Sequence, residues 1–390
     1  MFPDLSYIFH FVFGSSPDNG FSIVKTFGLF LTFAFIASAW ILYLELKRKE
    51  NEGVLKPSTV TVDPGSSARP MDIFINSLFG FVIGFKVLYA FQHMNEMKGD
   101  AVAVLLSAKG NLVGGVIGAF LLGGIKYLDY LKFKKNPSSP KQVLLYPHQL
   151  VPDITVVAAI SGILGAKIFA LFEGAQSWSS FVHDPVKAFF SGSGLAIYGG
   201  LIIAFIVVFM YVKKKGIDPI LAMDLCAPAM ITGYAVGRLG CQFSGDGDWG
   251  ISNLAAKPSW FFLPQSWWSY NYPHNILNEG VPIDGCMYKH CMQLAEAVYP
   301  TPLWEAILGF MILGILWLLR KRIRITGMLF FIYCILIGVE RLFIEKIRVN
   351  EKIHFAGLNM TQAEIISVLV TVIGIAGCLI LWKRNQAKAA

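Results

Sequence analysis

Long apolar stretches restrict the fold of this chain more than any other feature. Each is long enough for an α-helix to cross the hydrocarbon core of a bilayer, which takes about 20 residues. With 55% hydrophobic and 15% charged residues and a mean hydropathy of +0.57, the composition is typical of membrane proteins and not of soluble domains. We predict an all-α fold, a polytopic membrane helical bundle with about nine transmembrane helices. The nine stretches are Ile23–Leu44, Ile73–Phe91, Leu112–Tyr130, Ile154–Phe172, Leu195–Val212, Leu221–Leu239, Leu303–Leu319, Gly327–Phe343 and Ala363–Trp382.

The basic residues predict how the chain is oriented. The net charge of +8 is concentrated in short clusters between the apolar stretches, which argues against a nucleic-acid partner. Because cytoplasmic loops carry an excess of Lys and Arg, the clusters place the N-terminus outside and the C-terminus inside. The clusters are Lys47–Lys49, Lys132 with Lys134 and Lys135, Lys213–Lys215, Arg320–Arg322 with Arg324, and Lys383 with Arg384.

The same pattern divides the chain into segments. The segment 241–302 is rich in Trp, Tyr, Phe and Pro, which favours a position near the lipid headgroups, although a plain soluble loop is the alternative. The predicted segments are an N-terminal interfacial arm (1–22), a first transmembrane helix (23–50), an inserted hairpin with flanking loops (51–147), core helices (148–240), a periplasmic loop or head segment (241–302) and C-terminal core helices (303–390).

Three spans carry an acid fourteen positions before a base, which indicates an internal repeat. The two predicted hairpins also match, because the run starting at Leu112 contains Gly114-Gly115 where the run starting at Ile197 contains Gly199-Gly200. Chance similarity among apolar spans is the alternative. The charged pairs are Asp72 with Lys86, Asp153 with Lys167, and Asp224 with Arg238.

A glycine-rich turn follows the third of these pairs. Arg238 stands near the end of its apolar span, and the turn beyond Gly240 contains Asp246 and Asp248. A charged residue in a membrane span is a functional candidate by default. Irregular backbone near membrane depth is tolerated where it is buried in protein or lines a wet cavity.

A second group of charges ends the next-to-last span. Arg341, Glu345 and Arg348 lie on one helical face, and Glu305 opens the preceding span. Guanidinium groups hold phosphate through paired hydrogen bonds, and neighbouring carboxylates can orient them. On their own, the three residues on the helical face would be interpreted as a salt-bridge ladder at the membrane surface. Together with Arg238 and Asp246 they predict a phosphate site.

These motifs resemble those of the prolipoprotein diacylglyceryl transferase family. The family's Gly-Arg-Ile-Gly-Asn-Phe-x-Asn-Gly-Glu-x-Trp-Gly signature corresponds to the run from Arg238 through Asp246, and this chain then has one residue more than the signature before Trp249-Gly250. Three further family motifs follow in order: Tyr299-Pro-Thr-Pro-Leu-Trp-Glu305, Arg341-Leu-Phe-Ile-Glu345-Lys-Ile-Arg348 and Leu358-Asn-Met-Thr-Gln362. The resemblance implies a seven-helix core, to which the inserted hairpin is added.

The resemblance implies an activity and its site residues. The family transfers the sn-1,2-diacylglyceryl group of phosphatidylglycerol to a cysteine thiol of a prolipoprotein, so that a thioether forms and glycerol 1-phosphate leaves. By this resemblance Arg238 and Arg341 bind the phosphate, Asp246 and Glu345 orient them or the glycerol hydroxyls, and Tyr198 binds the headgroup or passes a proton. Catalytic residues are thus Tyr198, Arg238, Arg341 and Asp246, and substrate-binding residues are Arg238, Gly199, Gly200, Gly240, Ser244, Asp248, Glu345, Arg348, Glu305, Lys167 and Phe27.

Several positions depart from the family's pattern. Tyr198 replaces a histidine, Phe27 a tyrosine, Lys167 an arginine and Asp246 a glutamate. An unperturbed phenol has a pKa near 10, so Tyr198 is poorly matched to a general base at neutral pH. Other histidines predicted to lie outside could replace it, although each is more simply a surface residue: His183, His274, His290 and His354.

The resemblance implies no cofactor and no metal. The partners would be phosphatidylglycerol and prolipoproteins bearing a lipobox cysteine, in the bacterial cytoplasmic (inner) membrane with the site toward the periplasmic face. Two alternatives stay open from the residues alone: a transporter, and a lipid-binding membrane protein of this fold without catalysis. In the head segment, Cys286 and Cys291 form either a disulfide or a pair of free thiols, and the oxidising outer compartment is compatible with a disulfide.

Overall fold

The computed structural model describes residues 1–62, 70–94, 96–97, 104, 109–135, 141–172, 175–183, 196–350, 352–355 and 358–389. These residues are mostly helical, and each predicted apolar stretch coincides with a helix. The α-helices are α1 Leu5–Phe13, α2 Thr26–Asn51, α3 Pro70–Gln92, α4 Leu112–Lys135, α5 Val151–Phe172, α6 Ala175–His183, α7 Ile197–Lys214, α8 Pro219–Ser244, α9 Thr301–Leu319, α10 Met328–Glu345 and α11 Gln362–Ala389.

Among the described residues, seven helical segments are long and apolar enough to cross a membrane. They are Thr26–Asn51, Pro70–Gln92, Leu112–Lys135, Pro147–Phe172, Pro219–Ser244, Thr301–Leu319 and Gln362–Ala387. The other two predicted spans are α7 and α10, of 18 residues each. The last two turns of α10 contain Glu340, Arg341 and Glu345, which lowers its apolar character. The chain is therefore a helical protein with several apolar helices of membrane-spanning length.

Local capping residues explain where α8 begins and ends and where α11 begins. The side chain of Asp218 accepts a hydrogen bond from the Ile220 backbone N–H, and Pro219 occupies the first helical position of α8. At the other end Gly245 adopts a left-handed conformation with φ of 63°. Thr361 and Glu364 exchange hydrogen bonds in a capping box that starts α11.

Short antiparallel strands connect some of the helices. β1 (Ser58–Val62) pairs with β2 (Lys141–Leu145), with Ser58 opposite Leu145. In the head segment β3 (Val281–Pro282) pairs with β4 (Met292–Gln293). β5 (Lys352–Phe355) and β6 (Leu358–Thr361) form a hairpin before α11.

The chain forms two compact units. The first contains Met1–Glu52 with Phe209–Ala390, and within it α8 packs against α2, α9 and α10. Close helix contact needs a small residue where α2 and α8 cross, since a Cβ on Gly240 would lie 2.8 Å from Cβ of Phe30. The buried core of this unit is formed by Ala227, Ile231, Ile312, Leu316 and Leu329.

The second unit, Gly53–Val208, contains two hairpins with equivalent contacts. In the first, Asn111 N–H donates to Phe85 O over 2.9 Å, and in the second Ala196 N–H donates to Ala166 O over 3.0 Å. Each pair occupies the same position of the repeat predicted from sequence. The close contacts of the glycines are equivalent too. A Cβ added to Gly84 would lie 2.0 Å from Gly114 O, and a Cβ added to Gly165 would lie 2.7 Å from Gly199 O. These shared contacts support a duplicated hairpin. The unit is larger than the predicted 51–147 insertion, because it also takes in α5 and the first part of α7.

The N-terminal segment packs against the head segment. The amino group of Met1 donates to Pro273 O over 2.6 Å, and the His290 N–H donates to the Tyr7 hydroxyl over 3.1 Å. The carboxylate of Asp4 is fully buried, caps α1 and lies 3.5 Å from the Lys25 amino group. The arm is therefore fixed to the protein by buried polar contacts.

Candidate functional site

Three helix ends and one glycine-rich turn converge in the first unit. The turn after α8 is fixed to the end of α10 by a backbone bridge between Gly250 and Arg348. It is fixed to the start of α9 by the Gly250 N–H, which donates to Tyr299 O over 2.9 Å, and by the Thr301 hydroxyl, which donates to Asp248 O over 2.7 Å. Side chains from separate parts of the sequence are thereby held at one place.

The carboxylate of Glu305 is the centre of this site. It is fully buried and lies within ion-pair distance of three guanidinium groups. Arg341 Nη1 donates to Oε1 over 2.6 Å, Arg238 Nε lies 3.0 Å from Oε2, and Arg348 Nη1 lies 3.4 Å from Oε1. We call Arg238, Arg341 and Arg348 with Glu305, Asp248 and Glu345 the arginine cluster. The two arginines predicted to meet, Arg238 and Arg341, therefore share one carboxylate.

Asp248 joins two of the arginines from the other side. Its Oδ2 accepts from Arg238 Nη1 over 2.5 Å, and its Oδ1 pairs with Arg348 Nη2. Burial alone would raise the pKa of Asp248, but the guanidinium groups of Arg238 and Arg348 outweigh burial and hold that pKa below its usual value. Asp248 is therefore ionised at neutral pH and fixes the directions of both arginines.

Glu345 forms an ion pair with Arg341. Its Oε2 lies 3.1 Å from Arg341 Nη2, one helical turn away on α10. Its Oε1 accepts from the Thr361 hydroxyl over 2.7 Å and from the Asn350 amide over 2.6 Å. Since Glu345 is only 4% exposed, these partners compensate its desolvation and restrict its rotation.

The arrangement leaves hydrogen-bond donors for an anionic ligand. Within the described residues, neither Arg238 Nη2 nor Arg341 Nε has a recorded acceptor. The two side chains are 16% and 19% exposed, so water screens them only partly. A phosphate in this position would meet guanidinium groups already oriented by buried carboxylates, which is the arrangement that stabilises developing negative charge.

Asp246 makes no recorded ion pair with an arginine in the described structure. It was predicted to orient the arginines or the glycerol hydroxyls, and the ion pairs with Arg238 are made by Asp248 and Glu305. Burial and the negative charge of Asp248 raise the pKa of Asp246, and its buried Oδ1 has no hydrogen-bond partner among the described residues. Of the two aspartates in this turn, Asp248 is the one that makes ion pairs with arginines in the described structure.

Other predicted binding residues in this unit have packing roles. The Ser244 hydroxyl is fully buried and donates to Gly240 O, one turn earlier in α8, over 2.8 Å. Gly240 allows the approach of α2, where Phe27 lies in the first turn and is 39% exposed. Neither the hydroxyl nor the glycine points to a ligand contact.

Four predicted residues belong to the second unit. Gly199 and Gly200 lie against α5, where added Cβ atoms would come within 2.2 Å of Phe169 and 2.8 Å of Gly162 O. Lys167 is 9% exposed. Tyr198 is in the first turn of α7, and its side chain lies outside the described part of the structure.

Two residues beside the arginine cluster were missed by the sequence analysis. The Tyr234 ring centroid lies 5.3 Å from the Arg238 guanidinium carbon, and its hydroxyl donates to Glu340 over 3.2 Å. Glu340 is 6% exposed. The signal was spacing, because Tyr234 precedes Arg238 by one helical turn.

Two of the histidines named as replacement bases, His274 and His290, have no recorded contact with the arginine cluster in the described structure. His274 and His290 interact with each other in the head segment, where His274 Nδ1 lies 2.6 Å from His290 O. Burial lowers the pKa of His290, and the positive charge of Lys25 lowers it further. His183 lies in the second unit, with Nδ1 3.1 Å from Ser179 O. The side chain of His354 lies outside the described residues.

Two cysteine features complete the description. Cys286 and Cys291 form a disulfide in the head segment, so of the two alternatives the bonded pair is the one observed. Cys241, Asp246 and Asp248 have ligand atoms within 4.8 Å of one another. A cation there would compete with two guanidinium groups for Asp248, so this group is poorly suited to hold a metal.

The fold and the site define a multi-pass helical membrane protein with a buried arginine cluster at one end of its helices. A model of the prolipoprotein diacylglyceryl transferase family matches residues 134–380. The chain is 32% identical over 243 residues to a phosphatidylglycerol–prolipoprotein diacylglyceryl transferase of Staphylococcus saprophyticus, covering 61% of this chain and 76% of that protein. Proteins of the same name from Halalkalibacterium halodurans (31%, covering 57% and 68%) and Corynebacterium diphtheriae (26%, covering 70% and 87%) are also similar. The chain belongs to the prolipoprotein diacylglyceryl transferase family.

Proposed function

We propose that this protein transfers the sn-1,2-diacylglyceryl group of phosphatidylglycerol to the lipobox cysteine of prolipoproteins. The convergence of Arg238, Arg341 and Arg348 on the buried carboxylate of Glu305 carries this proposal. It holds guanidinium groups from two helices and one following turn at a single point, as recognition of a lipid phosphate requires.

In the reaction, the thiolate sulfur forms a bond to C3 of the diacylglyceryl group while the bond from that carbon to the phosphate oxygen breaks. The thiol proton passes to a base, and glycerol 1-phosphate leaves with the electron pair of the broken bond. A thiol is only slightly ionised at neutral pH, so both proton removal and stabilisation of the leaving phosphate are needed. Arg238 and Arg341 stabilise the phosphate as its charge increases.

Roles for the remaining residues follow from their contacts. Asp248, Glu305 and Glu345 orient the arginines, and Arg348 supports the phosphate site through Asp248. Asp246, which has an unpartnered oxygen beside this site, is assigned to the glycerol hydroxyls. Tyr198 is assigned to the headgroup or to proton transfer by the resemblance of its motif. Gly199, Gly200 and Lys167 are assigned to substrate binding on the same ground.

The membrane arrangement is part of the proposal. We place nine helices across the cytoplasmic membrane, with the N-terminus outside, the C-terminus inside and the arginine cluster toward the outer face. The alternation of basic clusters along the chain supports this orientation. The hairpin within 51–147 is proposed as an addition to a seven-helix core, which is supported by the start of the family match at residue 134. The disulfide offers a test: after reduction, an impermeant maleimide added to intact cells should label Cys286 and Cys291.

The activity is tested with purified protein, phosphatidylglycerol and a peptide bearing a lipobox cysteine. We expect release of glycerol 1-phosphate in equal amount to the lipidated peptide. Release of neither product, with phosphatidylglycerol binding retained, would favour a lipid-binding protein without catalysis. Uptake of a solute into protein-containing vesicles, without lipidation, would favour a transporter.

A further inference from the structure

A second basic site lies at the other end of α9. Its residues come from the ends of α2 and α9, which the sequence analysis used only to orient the chain. They line a cavity of about 560 Å³, formed by Leu44, Lys47, Arg48, Asn51, Glu52, Trp317, Arg320 and Lys321. Glu305 and Arg320 are fifteen residues apart on one helix, so about 22 Å separate this cavity from the arginine cluster.

A buried carboxylate holds two of the arginines that line this cavity. Glu45 is fully buried and pairs with Arg48, over 2.7 Å, and with Arg320. The guanidinium carbon of Arg320 lies 3.1 Å from the centroid of the Trp317 ring. The positive-inside pattern requires only basic residues in loops, whereas here two arginines from different helices are held by one carboxylate and one aromatic ring.

The cavity has positive charge beyond what its carboxylates compensate. Four cationic side chains line the cavity. Among the described residues only two carboxylates oppose them, Glu52 in the lining and the buried Glu45 that pairs with Arg320. Lys321 is exposed, and the Lys47 amino group contacts only the hydroxyl and ring of Tyr43 among its recorded partners. Lys47 is exposed as well, so two ammonium groups at this cavity can reach an anionic ligand from solution or from the membrane surface.

The surroundings favour a lipid over a soluble anion. Trp40 is 60% exposed and Leu318 is 72% exposed, and these apolar side chains stand on α2 and α9 near the cavity. Basic pockets between membrane helices are a known type of site for anionic headgroups. We propose that this cavity binds the phosphate of an anionic lipid headgroup, in the leaflet that faces the basic ends of α2 and α9.

The test titrates phosphatidic acid, which is not the proposed donor, into the purified full-length protein and measures the first dissociation constant by native mass spectrometry. We expect the double variant Lys47→Gln/Lys321→Gln to bind about 30-fold more weakly, because a basic residue near a membrane surface contributes roughly 1 kcal/mol. The matched control is Lys213→Gln/Lys214→Gln, which removes two exposed lysines at the end of α7. We expect it to bind as the wild type does.

Equal weakening in the two double variants, or weakening in neither, would overturn the proposal. Arg341→Gln should leave phosphatidic acid binding unchanged, and a loss in that variant would place the lipid in the arginine cluster instead. Displacement by millimolar glycerol 1-phosphate would show that the ligand is a soluble phosphate, against our lipid assignment. Transfer activity measured in parallel should stay unchanged in Lys47→Gln/Lys321→Gln, so the two proposals fail separately.

Discussion

Removing the charge of Glu305 is the perturbation that most affects the arginine cluster. Glu305→Gln keeps the size of the side chain but replaces a fully buried carboxylate that faces three guanidinium groups. One acceptor oxygen becomes an amide donor pointing at a cation. We expect the variant to fold less stably and to lose most of its transfer activity.

The magnitude follows from the contacts. Arg238 and Arg341 each make two ion pairs in the described structure, and each loses the one to Glu305, at 3.0 and 2.6 Å. Breaking a buried ion pair by removing one partner costs about 3–5 kcal/mol. A displacement of a catalytic group by about 1 Å can reduce the rate by about 100-fold. We therefore expect kcat/KM to fall at least about 100-fold and the melting temperature to fall as well.

The assay is glycerol phosphate release from phosphatidylglycerol with a lipobox peptide, together with a thermal melt in the same detergent. The matched control is Glu296→Gln, since Glu296 is an exposed residue of the head segment. The control should retain wild-type activity and stability. Transfer by Glu305→Gln within about threefold of wild type, in folded protein, would refute the reasoning that Glu305 fixes the arginines.

Three further predictions follow from the structure. Tyr198→Phe should reduce kcat while leaving binding of phosphatidylglycerol intact if the hydroxyl takes part in proton transfer; unchanged kcat at every pH would exclude that role. Asp248→Asn should melt at a lower temperature than wild type at neutral pH. Because the folded pKa of Asp248 is below its unfolded value, this stabilisation is fully present above about pH 4 and is lost as pH falls through the folded pKa. A difference in melting temperature between Asp248→Asn and wild type that stays constant as the pH falls would contradict this prediction. Gly165→Ala should destabilise the protein by about 1–3 kcal/mol, because the added Cβ would lie 2.6 Å from the Cβ of Ile203. The control Gly124→Ala should leave the stability unchanged, because an added Cβ there has no atom within 4 Å.

The positions of the helices could be predicted from sequence because apolar length and capping residues are local signals. All nine apolar stretches coincide with helices, and the glycine pattern of the two hairpins reappears as equivalent close contacts. Composition alone does not mark α10 as a membrane-crossing helix, because charged residues of the arginine cluster lie within it.

The composition of the arginine cluster could be predicted, but not its pairing. Glu305 and Asp248 were named as binding residues, while the sequence gives no measure of which carboxylate meets which guanidinium. The turn after α8 decides that Asp248, and not Asp246, pairs with Arg238, and this depends on its three-dimensional path. Ser244 was named as a binding residue from its motif position, and its hydroxyl donates to the backbone of its own helix, a contact for which the motif gives no signal.

The basic clusters show a third kind of limit. Lys47–Lys49 and Arg320–Lys321 are far apart in sequence and indicated only which side of the membrane they face. Only the three-dimensional structure shows that Glu45 joins an arginine from each cluster beside one cavity. Long-range pairing of this kind has no local sequence signal.

The central claim is that Arg238 and Arg341 together hold the phosphate of the donor lipid. The most direct measurement is single-turnover release of glycerol 1-phosphate by Arg238→Lys and Arg341→Lys, compared with Arg322→Lys as an exposed control. An ammonium cannot reproduce the paired hydrogen bonds of a guanidinium, so we expect at least about 100-fold slower release in the first two variants and wild-type release in the third. Wild-type release by either Arg238→Lys or Arg341→Lys would contradict the account.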